Sequence, residues 1–405
     1  MASAGLARIE WADAQMPVLR SIRERFASER PLAGVRVAAC LHITAETANL
    51  VRTLAAGGAE AALAAANPLS TQDDVVAALS GDNVDVRGRR GEDVDAYVAN
   101  VLALVEARPQ VTLDDGADLL TVLHDRHPER LGDLLGGTEE TTTGLLRLRA
   151  LQAEGRLGCP VLAVNEARTE RLFNDHYGTG QSTLDGILRA TNLLVAGKTF
   201  VVFGYGWTGK GVALRARGAG AQVIVCEVDP MRALEARMEG FEVMPALAAA
   251  ERGDVFVTVT GSRAVLAGEH FVRMKDGSVL ANAGHFDIEI DLDALRDAAT
   301  GGMTEVLPMV EQYDVGGRRL NLLASGRVVN LAAGQGHPAA VMDMSFANQA
   351  LAVEHLVRHP GELSAGVHPV PDAIDREVAR LKLESLGVEI DELTAAQREY
   401  LRSWS

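Results

Sequence analysis

Residues Val201 to Lys210 read VVFGYGWTGK. An apolar run feeds Gly204, Gly206 and Gly209 in the spacing G-x-G-x-x-G. A segment of helical period follows, and a second apolar run, Gln222 to Cys226, ends on Glu227. Each glycine has a reason. The first permits the tight strand-to-helix turn, the second lets backbone approach a pyrophosphate, and the third lets helix and strand pack closely. The helix start then offers unpaired N–H groups to phosphate. Gly204, Gly206, Trp207, Thr208 and Gly209 are thus expected to hold a dinucleotide. Glu227 is placed for the ribose hydroxyls, which favours NAD over NADP because a 2′-phosphate would be repelled. Arg232 and Arg237 lie further on and do not overturn that preference while Glu227 holds the ribose. Lys210 is no P-loop lysine, since the glycine spacing differs and Gly211 follows it.

The loop sits mid-chain, so much of the 405-residue sequence lies ahead of it. That length allows two or three domains. Hydrophobic residues make up 47%, ample for a core, yet no apolar run is long enough to cross a bilayer and no signal peptide is apparent. The three cysteines, Cys40, Cys159 and Cys226, have neither metal spacing nor the number for a disulfide framework, which points to a reducing cytoplasm. A net charge of −16 argues against a nucleic-acid partner. Lysine is scarce: Lys198, Lys210, Lys275 and Lys382 are the only ones.

The expected fold class is α/β, a Rossmann dinucleotide-binding domain with a second α/β domain for substrate and a short C-terminal helical segment. Residues 1–180 and 340–374 are assigned to the substrate domain, 181–339 to the NAD domain and 375–405 to an oligomerisation segment. Helical period runs over Trp11–Ser28, Ala45–Ala56 and 340–358, and again over Asp375–Arg402. Short strands are expected at Arg36–Cys40, Val111–Leu113, Pro160–Val164, Val255–Thr258 and Ser278–Asn282. Pro360 to Pro371 reads as a turn-rich linker.

Polar clusters fall where strands should end, which is where open α/β sheets bind ligands. They are Leu41-His42-Ile43-Thr44 with Glu46, Asp114-Asp115-Gly116, Glu139-Glu140-Thr141-Thr142-Thr143, Asn174-Asp175-His176, Gly284-His285-Phe286-Asp287 and Gly336-His337-Pro338. Singly each has a bland reading: Asp-Asp-Gly as a turn, Thr-Glu-Glu-Thr as a helix cap, a lone histidine as a structural hydrogen-bonding residue. No pair of His or carboxylate recurs at helical spacing, so no metal is expected.

Together with QMPVLR at Gln15–Arg20, NPLSTQDD at Asn67–Asp74, LDDGADL at Leu113–Leu119 and GQGHPAAVMDMSFANQ at Gly334–Gln349, these clusters resemble the S-adenosylhomocysteine hydrolases of the shorter archaeal and thermophile type. The resemblance covers nearly the whole chain. It implies a tightly bound, recycled NAD and an adenine nucleoside as substrate. The family reaction oxidises the ribose 3′-OH, removes the acidified 4′ proton, expels the 5′ substituent, adds water and reduces the ketone again. Matched position by position, His42 and Asp115 handle protons near the 5′ position, Glu140 holds the sugar hydroxyls, and His285 is a further acid, base or orienter. Thr44, Glu46, His337 and Met342 touch adenine. Thr141, Thr142, Thr143, Asn282 and Asn330 line the nicotinamide end. A homo-oligomer, tetramer or dimer, is expected, without the long tail that reaches a neighbour's NAD in many members.

The chain departs from the family at one place that bears on chemistry. The family motif T-K-x-x-F-D-N is here Thr169-Glu170-Arg171-Leu172-Phe173-Asn174-Asp175. Glu170 stands for the lysine, and the Asp-Asn order is reversed to Asn174-Asp175. In the family that Lys and Asp bracket the 3′-OH. Either Glu170 acts as base, or oxidation relies on Asp175, His176 and His285. The favoured expectation is therefore a specialised nucleoside dehydratase of natural-product biosynthesis, losing the 5′-OH as water to give a 4′,5′-unsaturated nucleoside. The alternatives are an ordinary S-adenosylhomocysteine hydrolase and an inactive NAD-binding regulator.

Overall fold

The computed structural model describes every residue except Asn83, His285, Phe286 and Ser405. Two sheets organise it. The first has seven parallel strands in the order Gly366–Pro369, Pro160–Ala163, Gly136–Glu139, Val111–Asp114, Arg36–Leu41, Glu60–Ala65 and Asp85–Arg87. The second runs Thr304–Leu307, Val310–Val315, Arg318–Leu323, Val279–Asn282, Val255–Thr258, Thr199–Phe203, Gln222–Cys226 and Glu242–Val243. Its first two pairings are antiparallel and the rest parallel. Central strands of both sheets are buried on both faces, as near-continuous apolar runs require. No described helix is long and apolar enough to cross a membrane.

In each sheet the chain enters at an inner strand, winds to one edge, and then crosses to the other side. The first sheet reverses between Arg36–Leu41 and Val111–Asp114, the second between Thr199–Phe203 and Val255–Thr258. Loops leaving the C-terminal ends of such a strand pair diverge and leave a crevice. His42 and Asp115 follow one pair of strand ends, and Gly204 and Val259 the other.

Several expectations need correction. Trp11–Ser28 is not one helix but parts of two, Ala2–Asp13 and Pro17–Glu29. Pro17 sits at the first position of the second, where its missing N–H costs nothing and its ring cannot continue a preceding turn. Asp343, from the helix Ala339–Arg358, accepts the Val18 and Leu19 N–H groups at 3.3 and 2.8 Å, so that helix start is satisfied from across the fold. Asp375–Arg402 likewise divides into Asp372–Ser385 and Ala395–Tyr400, with Gly387 in the left-handed region between them. The linker Pro360–Pro371 contains the edge strand Gly366–Pro369.

Candidate active site

A cavity of about 1520 Å³ joins the two crevices. Its wall includes His42, Thr44, Glu46, Asp115, Glu140, Thr141, Thr142, Thr143, Asn174, Asp175, Asn330, His337 and Met342, together with Gly204, Gly206, Trp207, Thr208 and Glu227. Residues spread over the whole sequence are thereby brought to one place. Glu170, Gly209 and Asn282 stand behind the wall rather than in it, and His285 lies outside the described residues.

At the first crevice, His42 Nε2 lies 3.3 Å from Asp115 Oδ2. His42 Nδ1 lies 2.5 Å from Ser70 Oγ, whose own hydrogen goes to the Asn67 carbonyl at 2.9 Å. With that hydrogen on the Asn67 carbonyl, Ser70 accepts from the imidazole and a proton sits on Nδ1. The contact between Nε2 and the Asp115 carboxyl then needs a second proton between them. Asp115 Oδ1 is buried, with no hydrogen-bond partner among the described residues. A titratable pair sharing one proton, with an unused acceptor beside it, is equipped to give and take protons at an adjacent atom.

Glu140 faces the same space and receives the Gln349 amide at 2.9 Å. Burial first, then the charges of Asp115 and Glu170, push its carboxyl well above the ordinary range. Beneath it, Glu139 is fully buried and accepts from Gly116 N, Thr141 N and Thr141 Oγ1. Asp114, also buried, accepts the Leu119 and Leu120 N–H groups at 2.9 Å each and caps the helix Asp118–Arg126. Burial pushes Asp114 up to about 7. Thr44 caps the helix Ala45–Ala56 and stands beside Glu46, whose carboxyl burial also raises. The helix Ala339–Arg358 contributes Met342 and Gln349, two turns apart on one face. Gln349 and Ser70 were both inside quoted motifs. Nothing short of the fold singles them out as the partners of Glu140 and His42.

The segment Glu170–Gly178 is wound as a π-helix, which turns its side chains differently from an α-helix of that sequence. Glu170 is fully buried and is not in the cavity wall; Asn174, which is, donates its amide nitrogen to Glu170 Oε1. The Asn174 oxygen faces His337 Nδ1, and His337 Nε2 lies 3.1 Å from Thr179 Oγ1 and 3.4 Å from Asn330 Nδ2. With Nδ1 as donor and Nε2 as acceptor all three contacts are satisfied by a neutral imidazole. Burial agrees, lowering His337 to about 4. Gly178 leaves the room this chain needs: a Cβ there would stand 3.2 Å from Asn174 Oδ1 and 3.3 Å from His337 Nδ1. Burial, then the Asp175 charge, raises Glu170 to about 8, and burial raises Asp175 to about 7 against the pull of Arg171. Of the two bases named from sequence, Glu170 thus stands outside the wall and Asp175 stands in it. His176 is not in the wall either; its carbonyl packs against Gly211. No lysine lines the cavity, and Lys382, nearest in the chain to the helix that does, is spent on Asp343 at 2.8 Å.

At the second crevice the three glycines do what their spacing requires. Gly204 has φ +98°, and a Cβ on Gly209 would stand 2.0 Å from the Gly204 carbonyl. Gly206 is the N-cap of the helix Trp207–Gly218 and caps it with no side chain, leaving the first-turn N–H groups to the cavity. Glu227 ends its strand at the rim, accepting from Tyr205 N at 2.7 Å, Val228 N at 2.7 Å and Asp229 N at 3.0 Å. Glu289 ties Thr260 and Gly261 N–H groups at 2.8 Å each, fixing the loop opposite. Asn330 offers a buried Oδ1 with no partner among the described residues. A glycine cradle, an acid for ribose hydroxyls and an orphaned amide oxygen suit a dinucleotide ending in a carboxamide. Arg232 stands near Gly206, 3.7 Å from where a Cβ would lie, without displacing the acid.

Comparison with known proteins gives the same picture along the chain. Residues 1–133 match the family model described as S-adenosyl-L-homocysteine hydrolase, and residues 175–336 match its NAD binding domain. The chain is similar to the adenosylhomocysteinase of Aquifex aeolicus, 58% identical over all of this chain and 97% of that one. It is 53% identical to the adenosylhomocysteinase of Saccharolobus solfataricus, over 100% and 97% of the two chains. It is also 53% identical to the S-inosyl-L-homocysteine hydrolase of Methanopyrus kandleri, over 100% and 96%.

Proposed function

Since the chain belongs to the S-adenosyl-L-homocysteine hydrolase family and is an NAD-dependent enzyme, we propose that it hydrolyses S-adenosyl-L-homocysteine to adenosine and homocysteine. The shared proton of His42 and Asp115, in a cavity continuous with the glycine loop, carries this reading. Bound NAD supplies a reversible hydride acceptor for the sugar. The protein's own groups do the rest. Glu140, oriented by Gln349, grips the ribose hydroxyls. Asn174 and Asp175 flank the 3′ position, and Asp175 at about 7 is poised as its base. His42 and Asp115 deliver a proton to the departing 5′ sulfur and take one from the water that replaces it. Thr44 with Glu46 receives a base carrying an exocyclic amine.

The order of the two expectations from sequence is thereby reversed. Full-length similarity to adenosylhomocysteinases favours hydrolysis over the specialised dehydratase. The dehydratase stays as a second reading on one observation, the lysine-free pair Glu170–Asn174. NAD-loaded protein incubated with S-adenosylhomocysteine should release homocysteine, followed with a thiol reagent. Adenosine-type nucleosides should show no loss of one water by mass spectrometry. Dehydrated nucleoside without homocysteine release would reverse the assignment again. An inactive regulator is disfavoured by His42, Asp115 and Glu140 all lining one cavity.

The reading is of a cytoplasmic homo-oligomer, a tetramer or dimer. Buried free cysteines need no oxidising compartment. Apolar side chains stand out from the C-terminal segment, with Leu386, Ile390, Leu401 and Trp404 all more than half exposed. Removing residues 386–405 should lower the assembly's mass in light scattering, and an unchanged mass would place the interface elsewhere.

A further inference from the structure

We infer that Glu139 is a positioning residue that sets the spacing between the two acids of the cavity, Asp115 and Glu140. The inference rests on the hydrolase reading above. Oε1 of Glu139 accepts three hydrogen bonds, from Gly116 N at 3.0 Å, Thr141 N at 2.9 Å and Thr141 Oγ1 at 2.8 Å. Gly116 immediately follows Asp115, and Thr141 immediately follows Glu140. One oxygen therefore holds the peptide just beyond each acid. It does so across neighbouring parallel strands, where Asp114 pairs with Glu139.

The local fold does not need this carboxyl for capping. Asp114 already caps the helix after Asp115, and the Thr141 hydroxyl caps the helix Thr142–Ala153 by accepting from Gly144 N at 3.0 Å. Glu139 is also held at a cost: Oε2 is buried with no hydrogen-bond partner among the described residues, next to the charges of Asp114 and Asp115. The helix makes way for it. A Cβ on Gly144 would stand 2.2 Å from the Glu139 carboxyl carbon. Glu289 is the counterpart on the cofactor side, but its bonds go to a single loop, whereas those of Glu139 join the two loops that carry the acids.

A misplacement near 1 Å in a site of this kind lowers rate by about 100-fold. The test uses NAD-loaded, full-length protein and four readouts: kcat and KM for S-adenosylhomocysteine, reduction of bound NAD by adenosine, and Tm. Glu139→Leu should lose about 100-fold in kcat and in NAD reduction, with KM within about threefold of the wild type. Glu139→Gln keeps the accepting oxygen and should recover to within about tenfold. Gly144→Ala presses on the carboxyl from the other side and should lower kcat in the same way, deciding the matter if Glu139→Leu does not fold. A folded Glu139→Leu or Gly144→Ala whose kcat stays within about threefold, with only Tm lowered, overturns the positioning role. A wild type that neither releases homocysteine nor reduces NAD overturns the hydrolase reading and the inference with it.

Discussion

Asp115→Asn is expected to lower homocysteine release by about three orders of magnitude while adenosine still reduces the bound NAD. The split follows from where the proton sits. His42 Nδ1 is committed to Ser70, so the proton between His42 Nε2 and Asp115 Oδ2 is the one available to a 5′ leaving group. An asparagine at 115 would donate its amide to Nε2 and hold the ring neutral, with no exchangeable proton between the pair. Shape and contact are kept, and the acid is lost. In the proposed reaction, removal of hydrogen from the 3′ carbon draws on Glu140, Asn174 and Asp175, which also line the cavity. Rapid mixing with adenosine, followed by absorbance of the reduced nicotinamide, separates the two halves. If Asp115→Asn abolished NAD reduction as well, Asp115 would be serving the sugar rather than the 5′ position.

Much of the site was legible because strand ends are marked in sequence. Short apolar runs stopping just before His42, Asp115 and Gly204 announce the C-terminal rims of parallel sheets, and both topological reversals lie there. Less legible were strands poor in β-branched residues. Glu60–Ala65 is mostly alanine and Gly136–Glu139 begins with two glycines, so neither carries a local β signal. They are strands because they lie between others, and Gly137 must be small: a Cβ there would meet Thr112 Oγ1 at 2.5 Å. Helix breaks at Pro17 and Gly387 were readable and were passed over for the longer apolar period around them.

The surroundings of Glu170 were hidden for a different reason. An acid in place of a lysine inverts the charge at that position without saying which way the group faces. Residue type at one position says nothing about which neighbour covers it, and a π-helical turn with Asn174 across its path is a tertiary fact. The reversed order Asn174-Asp175 is the second change. It moves the carboxylate by one residue and leaves it in the cavity wall.

Asp175→Asn should accordingly slow NAD reduction by adenosine by about 100- to 1000-fold, and Glu170→Gln far less. Both carboxyls are raised by burial, so each is protonated below its own value and a base above it. Asp175, at about 7 with Arg171 beside it, is largely ionised at slightly alkaline pH; Glu170, at about 8 among Glu140, Asp175 and Asp375, is largely protonated there. NAD reduction in the wild type should therefore rise with pH through about 7 and level off, and that limb should vanish in Asp175→Asn. Glu170 shows itself in stability instead. Its folded-state value lies above its ordinary 4.5, so the fold loses stability as pH rises from there through about 8, by a few kcal/mol at full ionisation. Glu170→Gln cannot ionise, keeps an acceptor for Asn174, and should gain in Tm over the wild type as pH increases past 8. An Asp175→Asn protein with wild-type NAD reduction, beside a Glu170→Gln protein without it, would make Glu170 the base acting through Asn174. The carboxylate that matters would then be the one standing where relatives of this fold are expected to carry a lysine.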